Sequence, residues 1–280
     1  MSLTSLRRRR RVLPGFGLSM GIALTYFALI ILLPLVAMAI KTTSLGWEQY
    51  WRIVTAPRSL AAFRVTVLAA LAATVVNAVV GLLFAWVLTR YEFPGRRLLD
   101  ALIDLPFALP TAVAGLTLVT LFAPNGWFGS FLEPLGVKVA YTPLGIMVAM
   151  FFTSIPFVVR TVQPVLEDVS ADVEEAARSL GAKPFQIFRL VIWPVIMPAF
   201  LAGTTMAFAR SLGEFGAVIF IAGNLPMVTE IASLLIVIRL DEFNYPAAAA
   251  LASVLLLAAF ALLFVTNTLQ ARALRYARRD

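Results

Sequence analysis

The chain has 280 residues, 61% of them hydrophobic and 14% charged, and a formal net charge of +8. With a positive mean hydropathy, it holds more apolar surface than one soluble core can hide, so the expected solvent is lipid. The absence of cysteine and histidine excludes disulfides, thiol chemistry and the ligands on which most zinc, haem and copper sites depend, and neither a metal nor another cofactor is expected.

In chain order, Arg7 to Arg11 come first, followed by an apolar run that ends at Ala37-Met38-Ala39-Ile40. The run imitates a secretory signal, but it is about 24 residues long against the roughly 7–15 of a signal-peptide core, which predicts an uncleaved first span. Within it, Gly17-x-x-x-Gly21 fits a close helix crossing. A hydrocarbon core of about 30 Å takes about 20 apolar residues, and runs of that kind recur near 17–40, 65–89, 101–123, 139–159, 195–220 and 247–269. The expectation is an all-α polytopic fold with six crossings: a basic terminus at 1–16, one membrane domain over 17–270 and a basic tail at 271–280. Pro106 and Pro110 in the third run and Pro156 in the fourth are candidate kinks around a cavity, although prolines are ordinary in membrane helices. Val228–Ile238 is half a span long and holds Glu230, so it reads as a packed or re-entrant segment buried in protein.

Basic residues sort by side. With the N-terminus inside, the inner segments hold Arg7 to Arg11, Arg90, Arg96, Arg97, Arg160, Arg178, Lys183, Arg189, Arg272, Arg275, Arg278 and Arg279, which is 16 of the 23. The outer segments hold Lys41, Arg52, Arg58, Arg64, Lys138 and Arg239, and Arg210 falls within a span. That bias puts both termini and residues 160–194 in the cytoplasm. It also accounts for the positive charge without a nucleic-acid partner.

The cytoplasmic stretch "EEAARSLGAKPFQIFRLVIWP", residues 174–194, reads like part of a soluble helical protein. Ser170 is the expected N-cap, Asp172, Glu174 and Glu175 place negative charge in the first turns, Gly181 suits the left-handed position past the helix end, and Pro184 opens the next helix. These signals predict a helix over 171–180. Val173, Ala176, Ala177 and Leu180 would form one flat apolar face, with Glu174 and Arg178 paired on the other. Taken in isolation, a helix of this kind reads first as an ordered loop on the inner membrane face.

The longer pattern changes that reading. Glu175-Ala176-Ala177, three residues, Gly181, nine residues, then Val191-x-Trp193-Pro194 resembles the "EAA…G………I-x-L-P" motif of ABC-importer permeases, with Val and Trp where Ile and Leu are usual. The resemblance implies the type I importer permease fold and a coupling helix at about 171–183 that docks into a cytoplasmic ATPase, with Glu175, Ala176, Ala177 and Gly181 as the matching positions. The chain has no G-x-x-x-x-G-K-[ST] loop and no Gly-Lys pair, so ATP would be hydrolysed by a partner and the chain would not itself be an enzyme.

"DLPFALPTAVAGLTL" from Asp104 and the stretch from Phe208 through "EFGAVIFIAGNLPMVTEIASLL" to "DEFNYPAAAALASV" resemble the permeases of sulfate, thiosulfate and molybdate importers, most of all the T-type (also called U-type) permease of the sulfate/thiosulfate system. The implied partners are a homologous second permease, two copies of an ATP-binding subunit and an external sulfate-binding protein, in a bacterial inner membrane. Molybdate or another oxyanion is the alternative substrate.

If 195–220 is one helix, Gly203, Ala207, Arg210 and Glu214 form one stripe, two small residues followed by an ion pair. Intramembrane charge marks either a pathway or a lock between helices, and the sequence leaves both open for Arg210, Ser211 and Glu214. Thr111, Thr117, Ser154, Thr204, Thr205 and Asn224 are further polar candidates for a weak anion path, each of which can instead bond back to its own helix. Two rival classes stand beside this reading. One is an ATP-independent anion carrier or channel. The other is a membrane enzyme using Glu167/Asp168 or Asp241/Glu242, for which no nucleophile and base are at hand.

Overall fold

Lipid leaves no water to satisfy backbone N–H and C=O groups, so a chain of this composition must satisfy them within helices. The computed structural model describes residues 16–277, with side chains as far as Val265 and at Thr268. Every regular element among them is helical. The basic N-terminal residues, Arg278 and Arg279, on which part of the charge count rests, lie outside what is described, and Arg272 and Arg275 are described in their backbone alone.

The helices of eight residues or more are α1 (Phe16–Thr43), α2 (Trp47–Val54), α3 (Pro57–Arg90), α4 (Arg96–Ala108), α5 (Thr111–Phe122), α6 (Pro143–Glu167), α7 (Ala171–Ser179), α8 (Pro184–Leu212), α9 (Ala232–Asp241) and α10 (Tyr245–Ala277). Among the described residues, α1, α3, α6, α8 and α10 are long and apolar enough to cross a membrane. The expected third crossing is not one helix. It is α4 and α5, bent by 117°, and it makes a sixth crossing only if the pair is counted as one. The break sits at Leu109, extended at φ −83° and ψ 135°, and Pro110. A proline excludes the residue before it from the helical region and cannot donate its own backbone hydrogen bond.

Two other prolines are absorbed without a break. Leu33 N–H reaches back five residues to Ala28 and Trp193 N–H to Phe188, each just ahead of a proline, Pro34 and Pro194. A local widening of this kind makes room for the ring and keeps α1 and α8 continuous.

The centre of the fold is α3 packed against α6 and α8. One face of α3 is buried along its length through Ala62, Thr66, Ala69, Ala70, Ala73, Asn77, Gly81, Ala85 and Leu88. These are mostly small side chains, and they let backbones approach where apolar burial alone supplies no drive. A Cβ on Gly81 would lie 2.8 Å from Val158 of α6, and one on Gly203 of α8 would lie 2.9 Å from the Phe157 carbonyl oxygen. By contrast α1 has no buried residue and packs along α10. The close crossing that the Gly17 and Gly21 spacing would permit is not formed at Gly21 among the described residues, since nothing there comes within 4 Å of an added Cβ.

The half-length segment near 228–238 is packed in protein as expected, although helix α9 begins at Ala232. Ala232, Leu234 and Leu235 are buried, and the Ala232 N–H donates to Thr66 Oγ1 of α3 at 2.8 Å. Just before it, the carbonyl of Leu225 accepts from the N–H groups of Val228, Thr229 and Glu230, which winds the chain into a tight loop. Arg58, expected in an outer loop, lies in the first turn of α3. It grips the buried Glu230 through Nε to Oε2 at 2.8 Å and Nη2 to Oε1 at 2.6 Å.

Candidate functional site

Helix α7 is closed at both ends by its own sequence. At the start, Ser170 is extended at φ −61° and ψ 134°, and its hydroxyl oxygen accepts from the Asp172 N–H at 3.2 Å. At the end, Gly181 stands at φ +84°. Its N–H donates to the Arg178 carbonyl at 2.9 Å, and the Ala182 N–H donates to Ala177 at 3.1 Å. These two bonds make a Schellman closure, which needs a left-handed residue that glycine adopts without strain. The Gln186 side chain then accepts from the Lys183 N–H at 2.7 Å and starts α8 at Pro184.

The faces of α7 differ in two respects from expectation. Val173, Glu175, Ala176 and Leu180 are exposed, whereas Ala177 turns inward and packs on the cluster around Leu166 and Ile187. Glu174 also turns inward. It meets Arg90 at the end of α3 at 2.6 Å and holds Arg178 only at 3.6 Å. The Arg90 guanidinium lies over the ring of Trp86, 5.7 Å from its centre, and Trp86 makes an edge contact with Phe188 at the start of α8. No local pattern points to Arg90, which is the last residue of a 34-residue helix remote in the chain from Glu174.

Inside the membrane domain the predicted pair is formed, with Arg210 Nη1 2.6 Å from Glu214 Oε2. Helix α8, however, ends at Leu212, so Glu214 lies in the turn beyond it and the expected stripe stops short. Gly213 keeps a near-helical turn at φ −91° and ψ 5°, which preserves the four-residue reach. Glu214 is 1% exposed, and its other oxygen accepts from the Ala217 N–H at 2.9 Å. That turn lies against α5: a Cβ on Gly115 would meet Ala217 Cα at 2.9 Å, and one on Gly216 would meet Thr111 Cβ at 2.9 Å.

Ser211 does not face the pair. It is buried and donates to Ser154 of α6 at 3.1 Å, and Ser154 also accepts from Asn77 Nδ2 of α3 at 2.7 Å. Asn77, Ser154 and Ser211 thus tie the three central helices together. Asn77 was missed in the sequence, although it is the one side-chain amide in the run 65–89. Among the remaining candidates, Thr117, Thr204 and Thr205 return their hydroxyls to carbonyls three or four residues back, and Asn224 donates to the Ile219 carbonyl.

Arg160, expected in a cytoplasmic segment, belongs to α6. It forks onto Asp104 with two bonds of 2.7 Å, takes Asp100 at 2.7 Å, and so pins α4 to α6. The spacing of Asp100 and Asp104, one helical turn apart in an apolar run, was the available signal. Arg52, Arg58, Lys138, Arg210 and Arg239 each have a glutamate partner. Arg64 has no carboxylate partner among the described residues and borders a cleft of about 900 Å³ between α3 and the start of α6. No group of His, Cys, Asp and Glu able to hold a metal occurs among the described residues.

Residues 77–276 match the family described as binding-protein-dependent transport system inner membrane component. The chain is 61% identical over 263 residues to the sulfate transport system permease protein CysT of Salmonella typhimurium, a match covering 94% of this chain and 95% of that one. It is 47% identical over 256 residues to the protein of the same name from Synechocystis, covering 91% and 90%. Its fold superposes on a bacterial ABC transporter involved in the import of the acidic polysaccharide alginate with a TM-score of 0.77, at 16% identity and 92% and 96% coverage. It also superposes on the inward-facing MetNI methionine ABC transporter with a TM-score of 0.59, at 15% identity and 82% and 99% coverage. The chain belongs to the family of binding-protein-dependent transport system inner membrane components and has the fold of an ABC-importer permease.

Proposed function

We propose that the chain is the membrane-spanning permease subunit of an ATP-driven importer that carries sulfate and thiosulfate across the bacterial inner membrane. The observation that carries the substrate is the 61% identity to a sulfate transport system permease over nearly the full length of both chains.

In this reading α7 is the coupling helix and receives a separate cytoplasmic ATP-binding subunit. Glu175 and Ala176 belong to its docking face, Ala177 anchors it to the permease body, and Gly181 turns the chain back toward the membrane. The support is physical. A nine-residue helix capped at both ends and held on one side presents Val173, Ala176 and Leu180 outward, a shape suited to a groove. Two ATP-binding subunits, a homologous second permease and an external sulfate-binding protein complete the assembly, with both termini in the cytoplasm. Closure of the ATPase dimer on ATP would draw the coupling helices of the two permeases together and tilt the spans from inward-open to outward-open.

A dianion must be passed on rather than held, so a deep, strongly basic site would oppose transport. The pairing of Arg210 with Glu214 fits that requirement, and we assign Arg210, Ser211 and Glu214 to locking helices rather than to gripping the anion. Tight recognition then belongs to the external binding protein. The test is uptake of labelled sulfate in cells lacking this chain and again after its restoration, with thiosulfate and molybdate as competitors. ATP-dependent uptake suppressed by thiosulfate and little affected by molybdate is expected. Failure of the restored, membrane-inserted chain to take up sulfate overturns the substrate.

A further inference from the structure

Helix α3 is 34 residues long, about 51 Å at 1.5 Å per residue, and an ion pair holds it at each end. At one end Arg90 meets Glu174 of α7, with side chains 22% and 12% exposed. At the other end Arg58 forks onto Glu230, which is 1% exposed and belongs to the loop Leu225–Ile231. Between the ends, the small-residue face of α3 is pressed against α6 and α8 and leaves little room for bending.

The two joints differ in kind. The Arg58 fork has two aligned hydrogen bonds and fixes direction as well as distance. At the Arg90 end, Nη2 and Oε1 lie 2.6 Å apart, yet neither makes an aligned hydrogen bond within the chain. Charge, the Trp86 ring and partial burial hold this contact without the directional constraint of the fork. One end is built as a clamp, and the other has the geometry a pivot needs.

We propose that α3 is a strut that carries movement of α7 to the outer loop Leu225–Ile231, and that Arg90 and Glu174 are the positioning pair that joins strut to lever. The proposal rests on the reading of α7 as the surface that docks the ATPase. A helix moved by the ATPase but not tied to a long rigid element would only slide along the membrane face. Coupling needs an element that both ends bias.

The test uses the assembled importer in vesicles, with labelled sulfate and the sulfate-binding protein outside, and measures sulfate taken up and ATP hydrolysed together. Arg90→Ala and Glu174→Gln are expected to keep a bound, hydrolysing ATPase while sulfate moved per ATP falls roughly tenfold, within the usual range of coupling between sites. Arg90→Lys and the exchange Arg90→Glu/Glu174→Arg should recover most of that ratio, and Arg178→Ala should leave it unchanged. An unchanged ratio in the single variants, or hydrolysis and uptake falling in step, overturns the strut.

A second measurement needs no transported substrate. The chain has no cysteine, so Leu225→Cys at the exposed edge of the outer loop is its one site for a maleimide that does not cross the membrane, and its labelling is read on this subunit after the subunits are separated. ATP should change its labelling rate several-fold in the otherwise unaltered importer and should not do so with Arg90→Ala added. Persistence of the ATP effect with Arg90→Ala overturns the proposal. Absence of sulfate uptake by the unaltered importer overturns the substrate reading alone, and the labelling rates then decide the strut.

Discussion

Arg58 and Glu230, 172 positions apart in the chain, meet in a two-point fork at 2.8 and 2.6 Å that ties the start of α3 to the loop before α9. Removing the cation strands a carboxylate that is 1% exposed, whereas removing the carboxylate leaves an arginine that still reaches the surface. Arg58→Ala should therefore destabilise the protein by about 3 kcal/mol, near the lower end for breaking a buried pair because Arg58 is partly exposed. Glu230→Gln should cost less. Thermal unfolding in detergent measures both, and equal losses would mean that Glu230 is not the strained partner.

The Arg210 and Glu214 pair gives the same asymmetry deeper in the membrane domain. Arg210→Ala leaves Glu214 buried with only the Ala217 N–H to satisfy it, so the single change should cost more than Arg210→Ala/Glu214→Ala, by about 1–2 kcal/mol. The double variant still orphans one backbone N–H and should not regain full stability. Unfolding temperatures of the two variants decide the matter, and a double variant worse than the single would exclude a direct electrostatic lock.

What was legible in the sequence was local. The caps of α7 are written within a dozen residues, from Ser170 to Ala182, and the helix follows almost residue for residue. The Arg210 and Glu214 pair also needed only a four-residue reach, which survived although α8 ends between the two. Hydropathy located the crossings and Pro110 marked a candidate kink, but an average over 20 residues is blind to the one extended residue that turns a kink into a bend of 117°. Asp100 and Asp104, one turn apart, mark a polar site on α4 but not its partner Arg160, whereas Arg90 with Glu174 and Arg58 with Glu230 are invisible to any local pattern. They depend on which helices lie side by side, and that is set by the small-residue face of α3.

That face makes a steric prediction. A Cβ on Gly203 would press on Thr161 and on the Phe157 carbonyl, and one on Gly81 would lie 2.8 Å from Val158. Neither site meets atoms that can rotate away, since Gly203 meets backbone and Gly81 meets the Cβ of the buried Val158, but Gly203 is crowded from more directions and leucine is the larger intrusion. Gly203→Leu should thus be the more damaging, by about 1–3 kcal/mol or by loss of insertion altogether, and Gly81→Ala the milder. Protein recovered from membranes and its unfolding temperature check the order. Gly21→Leu has open space among the described residues, so a loss there would reveal a neighbour beyond them.

The end of α7 separates helix stability from docking. Gly181 is at φ +84°, where an L side chain is strained by about 1–2 kcal/mol, and its N–H closes the helix on Arg178. Gly181→Val should keep that bond and strain the turn, and Gly181→Pro should do worse because it also removes the donor. Gly181→Asn should be mildest, since asparagine tolerates the left-handed region. Glu175→Lys leaves the turn intact and alters only an exposed side chain. All four should insert normally, since α7 contributes little apolar burial. If Gly181 acts by shaping the docking surface, ATPase copurified with the chain should fall in the order Asn, Val, Pro. Glu175→Lys should reduce it with no change in unfolding temperature. Retention of the ATPase by both Gly181→Pro and Glu175→Lys would move the docking surface away from α7.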